Sequence, residues 1–324
     1  MSLSVVVPCF NEEESLPELH SRLTAVCESL GRPYELVLVD DGSRDRTWEI
    51  IAARAAADPH LHGVRLARNH GHQLALTAGL AAARGERVMM LDADLQDPPE
   101  LLPQMMAEMD RGYDVVYGKR VRREGETAFK KTTASLFYRI INRLADVDIP
   151  VDVGDFRLVN RRVLDAFLAM PERTRFVRGM FAWLGHRQIG VDYIRQPRNF
   201  GESKYPLKHM IRFAGDALTG FSVAPLRLAT WLAYASLVIA AAVGIYVLWS
   251  LIALQTVQGW ASILLAVAFF SGIQLLTLGI IGEYLGRLYI ESKGRPLFLV
   301  AETTAEAAGA HGDPTEPPAN GPSQ

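Results

Sequence analysis

The chain has only two cysteines in 324 residues, Cys9 and Cys27. Two cannot build a disulfide framework, and their spacing fits no metal-binding pattern, so a reducing compartment is expected. Net charge is also scarce. Lys and Arg number 34 against 36 Asp and Glu, which leaves −2 and no electrostatic footprint for nucleic acid. No basic leader precedes the apolar stretch that begins at Leu3, so no signal peptide is expected. Phosphate-binding glycine loops are missing too. The first strand-like run ends in PCFNEEE, without the glycines of GxGxxG. At Gly118-Lys119-Arg120 a GxxxxGK[ST] loop would need glycine at Tyr113 and a hydroxyl at Arg120.

Charge is absent altogether from Leu228 to Gly282, 55 consecutive positions. One helix of that length would greatly exceed a bilayer core of about 30 Å. A polar break at 255–259 divides the stretch into spans 228–254 and 260–282, with Trp249 and Trp260 flanking the break as interfacial aromatics do. Lys204, Lys208, Arg212 and Arg227 precede the first span, Arg287, Lys293 and Arg295 follow the second, and the connection has none. The positive-inside rule then expects both termini on the cytoplasmic side. Residues 205–222 mix Met210, Phe213 and Phe221 with Lys208, Arg212 and Asp216 at helical spacing, which suits an amphipathic interfacial helix. Ala240, Ala241, Ala242 and Gly244 suit close helix packing, within the hairpin or between copies in a homo-oligomer.

Residues 1–118 alternate two periodicities. Strands are expected near 3–8, 34–40, 61–67, 87–92 and 114–117, and helices near 13–30, 45–57, 72–84 and 98–111. That alternation predicts an α/β fold with a parallel sheet covered by helices on both faces. The organising stretch is LDADLQDPPE at 91–100. The apolar run Val88–Leu91 reads as a buried strand, and ligands gather at the C-terminal ends of such strands. In extended backbone Asp92 and Asp94 would face one side. Such a pair either binds a hard cation carrying phosphates or caps a turn. Carboxylates also close the first and second runs, and acids brought together repel unless something positive lies between them. Asp97 is expected to cap the helix that Pro98 and Pro99 begin.

The ordered set VVVPCFNEEESL, VDDGSRDRT, RNHGHQLALTAGL and DADLQDPPE resembles family 2 inverting glycosyltransferases. With GKR at 118–120, GDFRL at 154–158, RNFGESKY at 198–205 and the hairpin, the likeness narrows to the polyprenyl-phosphate glycosyltransferases. The resemblance spans about residues 3–300. It implies a GT-A nucleotide-sugar domain over 1–200, a juxtamembrane loop and amphipathic helix at 201–226 and a transmembrane hairpin at 227–287. A cytoplasmic segment at 288–303 and a disordered tail at 304–324 complete the expected organisation.

The resemblance also implies site roles. Pro8, Phe10, Glu12, Asp40 and Asp92 would hold the nucleotide sugar, with Arg198 and Lys204 on a lid over its diphosphate. Asp92, Asp94 and Gln96 would bind Mg2+ or Mn2+, for which oxygen donors are suited. Arg120, Lys131 and Ser135 would hold the lipid phosphate. Asp155 occupies the position of the family's proposed base, although a phosphate monoester is already mostly dianionic at neutral pH. Asp94, Asp155 and Arg120 are therefore the expected catalytic residues, in the transfer of one hexose from a nucleoside diphosphate sugar to polyprenyl phosphate. UDP-glucose is favoured, with GDP-mannose as the alternative. A processive polysaccharide synthase would carry Q-x-x-R-W, and no Arg-Trp dipeptide occurs. A non-catalytic nucleotide-sugar sensor is disfavoured by the presence together of Asp92, Asp94, Arg120 and Lys204.

Overall fold

The computed structural model of the chain describes residues 1–122, 153–195, 224–252 and 259–304. The expectations attached to Lys131, Ser135, Arg198, Lys204, the stretch 205–222 and residues 305–324 lie outside those residues. The described residues form two compact units, 1–122 with 153–195 and 296–304 in one, and 224–252 with 259–295 in the other.

The first unit is built on an eight-stranded sheet. Its strands are β1 (Leu3–Cys9), β2 (Tyr34–Asp40), β3 (Leu61–Leu66), β4 (Arg87–Met90), β5 (Val115–Arg122), β6 (Val153–Asn160), β7 (Gln188–Ile194) and β8 (Val300–Thr303). Their spatial order is β7-β5-β6-β4-β1-β2-β3-β8. Between them lie α1 (Leu16–Ser29), α2 (Thr47–Ala57), α3 (His72–Ala82), α4 (Leu102–Asp110), α5 (Arg161–Ala169) and α6 (Val177–Trp183). Every residue of β1 and β2 is buried, as a strand covered on both faces requires.

The sheet is mixed, where the sequence alternation predicts a parallel one. β4, β1, β2 and β3 are parallel, but β6 enters antiparallel between β4 and β5, and β8 lies antiparallel along β3. In β6 the side chains alternate. Phe156 and Leu158 join the main apolar core, while Asp155 and Arg157 occupy the opposite face. The second helix of the other unit runs on to Ser292, and Val300–Thr303 becomes a sheet strand. Thr304 Oγ1 accepts from Gly63 N at 2.9 Å and Leu299 O from Ala67 N at 2.8 Å, so this segment closes an exposed sheet edge.

The second unit consists of α7 (Ala224–Ile252) and α8 (Trp260–Ser292), which pack on each other. Both contain segments long and apolar enough to cross a membrane, Pro225–Tyr246 with mean hydropathy 2.0 and Phe269–Ser292 with 1.3. The second runs beyond the expected boundary at Gly282. Loss of apolarity does not end a helix, and Glu283 pairs with Arg287 one turn on at 3.2 Å, which supports the continuation.

A turn between β2 and α2 governs the approach to the sheet's C-terminal side. Asp41 accepts from the backbone of His70 at 2.7 Å and Gly71 at 2.9 Å, which ties down the loop leading into α3. Gly42 lies at φ +66°, and a Cβ there would come within 2.7 Å of the Arg68 and Asn69 backbone. Gly31 has a similar φ of +60° but open space around it. Gly31→Ala should therefore cost about 1–2 kcal/mol from backbone strain alone. Gly42→Ala should cost about 2–4 kcal/mol, because the clash adds to the strain. Thermal unfolding of the detergent-solubilised chain tests this. Equal losses at the two positions would show that the turn does not press on residues 68–69.

Candidate functional site

The chain places its polar chemistry where the parallel strands end. β4 stops at Met90, earlier than expected, so Asp92 lies beyond the strand and Asp94 in the turn that follows. Leu95, in the left-handed region at φ +60°, completes the reversal. The expected alternation therefore does not orient the two carboxylates; the turn does. Beside them runs β6. Its register sets Arg157 opposite Met90, and extending that register by two residues brings Asp155 level with Asp92.

Asp155 is buried and fully engaged. Arg178 of α6 donates through Nε to Oδ1 at 2.9 Å and through Nη2 to Oδ2 at 3.4 Å. Gln73 Nε2 donates to Oδ2 at 3.1 Å, and His72 Nε2 stands 3.2 Å from the same oxygen. Burial opposes the charge, but Arg178 and His72 outweigh it and hold this carboxyl well below the usual carboxylate range. Arg157 does not form the ion pair with Asp155 that adjacency suggests. It donates to Gly154 O at 3.2 Å and lies over the Phe181 ring at 4.9 Å.

His72 also faces Asp92, with Nε2 3.5 Å from Oδ1. Burial lowers its pKa, yet Asp92 and Asp155 push it up to about 9, so it is imidazolium at neutral pH. Burial raises the Asp92 carboxyl; His72 counters this, while Asp97, Asp155 and Asp94 raise it further. Four carboxylates thus act on one another around the β4 turn.

Asp97 is not the helix cap expected from its place before two prolines. The short 3-10 turn Pro99–Leu101 has Pro98 at its cap position and no side-chain cap. Asp97 is buried and accepts from the Tyr193 hydroxyl at the end of β7. Arg120 donates through Nε to that hydroxyl at 3.1 Å, and its Nη2 lies 3.7 Å from Asp97 Oδ1. Arg195 Nε lies 3.6 Å from the same oxygen, and Arg195 Nη2 lies 3.9 Å from Asp94 Oδ2. A Cβ on Gly154 would meet Arg120 Nη2 at 2.5 Å, so glycine there admits the guanidinium. The GKR and GDFRL stretches therefore meet through one arginine.

The residues expected to hold the nucleotide are dispersed along two strand ends. Pro8 is buried within β1, while Phe10 and Glu12 are half-buried in the loop after it. Glu12 accepts from Ser15 Oγ at 2.7 Å, and Thr47 Oγ1 accepts from its backbone N at 2.9 Å. Asp40 is fully enclosed. Its Oδ1 accepts from Ser43 N at 3.0 Å, and its Oδ2 lies 3.5 Å from Arg65 Nε. Asp40 thus shapes the turn and is closed to direct ligand contact in this conformation.

A hard cation fits the β4 turn as a partial set. Asp92 Oδ1 is buried without a hydrogen bond, among neighbouring acids that a positive charge would relieve. Among the described residues no three His, Cys, Asp or Glu side chains converge as a metal site. Asp92, Asp94 and the Gln96 amide would therefore have to share Mg2+ or Mn2+ with ligand oxygens, an arrangement typical of magnesium bound with phosphates.

His72, Gln73, Arg178, Tyr193 and Arg195 were not among the expected site residues. His72 and Gln73 had a detectable signal, because they open a helix directly after a strand end in the motif RNHGHQ. Arg178 and Arg195 had none. Arg178→Ala and Asp155→Ala should each destabilise the chain, and the double variant should cost about 1–3 kcal/mol less than their sum. Unfolding of the four proteins in detergent measures this coupling; additive losses would dissolve the pair.

The glycosyl transferase family 2 model matches residues 4–168. An uncharacterised glycosyltransferase of Bacillus subtilis, YkcC, is 45% identical over 304 residues, covering 93% of both chains. A prophage bactoprenol glucosyl transferase homologue of Escherichia coli is 38% identical over 304 residues, covering 93% of this chain and 98% of that one. Among solved structures, glucosyl-3-phosphoglycerate synthase of Mycobacterium tuberculosis aligns with TM-score 0.46 at 20% identity, over 67% of this chain and 77% of that one. With its acids gathered at the strand ends of a mixed α/β sheet, the chain belongs to glycosyl transferase family 2 and is a glycosyltransferase of GT-A fold.

Proposed function

We propose that the protein transfers a single hexose, from UDP-glucose by preference, to polyprenyl phosphate at the cytoplasmic face of the membrane, with inversion and with a divalent metal. The observation that carries this reading is the opposition of charges within one strand-end region. Asp92 and Asp94 present carboxylates, while Arg120, held by Tyr193 and Asp97, presents a guanidinium. The relatives named as bactoprenol glucosyl transferases support the acceptor and the sugar. The apolar segments of α7 and α8 support a membrane location, and the Lys and Arg on either side of them support the cytoplasmic face.

In this reading an oxygen of the lipid phosphate attacks the anomeric carbon from the face opposite the nucleoside diphosphate. The new C–O bond forms as the bond from that carbon to the β-phosphate oxygen breaks, so configuration inverts. Bound Mg2+ or Mn2+ at Asp92, Asp94 and Gln96 would supply charge neutralisation on the leaving diphosphate. Arg120 holds the attacking phosphate. Lys131 and Ser135 are assigned to the same phosphate, and Arg198 and Lys204 to the diphosphate, by their motif positions alone. Asp155 is not needed as a proton acceptor, because the phosphate monoester arrives mostly ionised and this carboxylate is already occupied. It keeps His72, Gln73 and Arg178 in place beside the sugar.

The test incubates membranes containing the protein with labelled UDP- and GDP-sugars and then extracts lipid. Label from UDP-glucose should appear in the lipid fraction as one hexose per lipid, and Asp94→Asn should reduce it about 100-fold or more. Label from GDP-mannose alone would favour the mannosyl alternative. Label in polymer would overturn single transfer, and equal transfer by Asp94→Asn would remove the metal assignment.

A further inference from the structure

Arg195 has no part in the mechanism above, yet it stands at its centre. It directly follows β7, an edge strand that runs parallel to β5, and reaches the turn where β4 ends. Its side chain is largely buried at 28% exposure. Its charge has two acidic neighbours, but both lie beyond hydrogen-bonding distance, at 3.6 Å from Asp97 and 3.9 Å from Asp94. Nε is closed to solvent and donates no hydrogen bond among the described residues. The other arginines of this region are engaged differently. Arg178 donates two bonds to Asp155, and Arg120 donates one to Tyr193. A half-buried guanidinium whose enclosed Nε is held by charge but donates no hydrogen bond is poised for an acceptor.

The contacts and the shape of the guanidinium indicate which acceptor. Asp97 lies between Arg120 and Arg195, so two guanidinium groups share one carboxylate oxygen. The Tyr193 hydroxyl already donates to the same Asp97 oxygen that Arg195 Nε faces. The planar guanidinium pairs best with a two-oxygen anion, and a phosphate supplies one.

We propose that Arg195 is a phosphate-binding residue of this site. It rests between Asp94 and Asp97 and turns onto a phosphate oxyanion of a substrate, with Asp97 as its pivot. This role rests on the glycosyl-transfer reading for the presence of two phosphate sources, the donor diphosphate and the acceptor monoester.

The experiment uses the full chain in detergent with EDTA present, and UDP and citronellyl phosphate as separate probes. Calorimetric dissociation constants are measured for wild type, Arg195→Gln and Arg195→Lys. Arg195→Gln should weaken one probe about 10-fold, the loss of roughly one charge-assisted hydrogen bond, and Arg195→Lys should recover part of it. Weakened UDP assigns Arg195 to the donor diphosphate, and weakened citronellyl phosphate assigns it to the acceptor. In wild type, phenylglyoxal labelling of Arg195, read by mass spectrometry, should slow when the same probe is present; this measurement needs no variant to fold. Dissociation constants within twofold of wild type for both probes, or labelling that neither probe slows, would overturn the proposal and leave Arg195 a structural counter-ion. A lowered thermal midpoint with unchanged binding would overturn it in the same way. Probe binding that depends on Arg195 in a protein that transfers no sugar to lipid would support the phosphate site and overturn the glycosyl-transfer reading instead.

Discussion

The site depends on one electrostatic constraint: the sheet forces acids together, and the chain must supply cations from distant elements to hold them there. The antiparallel pairing of β6 with β4 brings Asp155 near Asp92, and His72 Nε2 lies within 3.5 Å of both. The turn after β4 adds Asp94 and Asp97, both buried. Ionised carboxylates taken from water are costly unless paired and hydrogen-bonded. The pairing comes from four places, namely His72 at the start of α3, Arg178 in α6, Arg120 in β5 and Arg195 after β7. These contacts also tie the surrounding elements to the strand ends. Gln73 shows this directly, since its Nε2 donates to Asp155 while its Oε1 accepts from Val177 N at the start of α6.

The constraint also separates two kinds of acid. Asp155 is compensated by a bidentate arginine, an imidazolium and an amide, and it remains ionised. Asp92 is under-compensated, with a buried oxygen lacking a hydrogen bond and a carboxyl raised by burial and by its neighbours. A fully compensated acid is an anchor, whereas an under-compensated one is a place for added positive charge. Enzymes that transfer groups between phosphates work mainly by positioning and charge stabilisation, so this division matters more than the strength of any single base.

Sequence reasoning reached the parts of this arrangement whose signals are local. The strands β1 to β4 and the helices between them follow from apolar runs, period and turn residues, and the DAD stretch follows from carboxylates at a strand end. β6 was missed because VGDFRLVN carries glycine, aspartate and arginine in a strand buried almost throughout. Asp155 is matched by partners 23 and 82 positions away, and neither pattern nor propensity encodes those. Asp97 was misassigned for a related reason. An aspartate before Pro-Pro has local capping chemistry, but a tyrosine 96 positions later claims it. Asp40 fitted a strand-end ligand by type and place, yet its enclosure depends on how Ser43 and Arg65 fold over it.

β8 changes how the apolar helices relate to the rest of the chain. Because Val300–Thr303 completes the sheet, α7 and α8 are an insertion between two strands and not a terminal appendage. Those strands are β7 and β8, at opposite edges of the same sheet. One connection therefore leaves the sheet at Arg195, beside Asp94 and Asp97, and the other returns along β3, whose Arg65 approaches both Asp40 and Glu302. Large apolar side chains such as Trp231, Leu237, Ile245 and Leu275 are exposed along the inserted helices, and water is a poor environment for such a surface. The same insertion whose surface calls for lipid is thus joined covalently to both edges of the catalytic sheet. The proposed acceptor is a lipid phosphate, and one of these two attachments begins at the arginine beside the acidic turn.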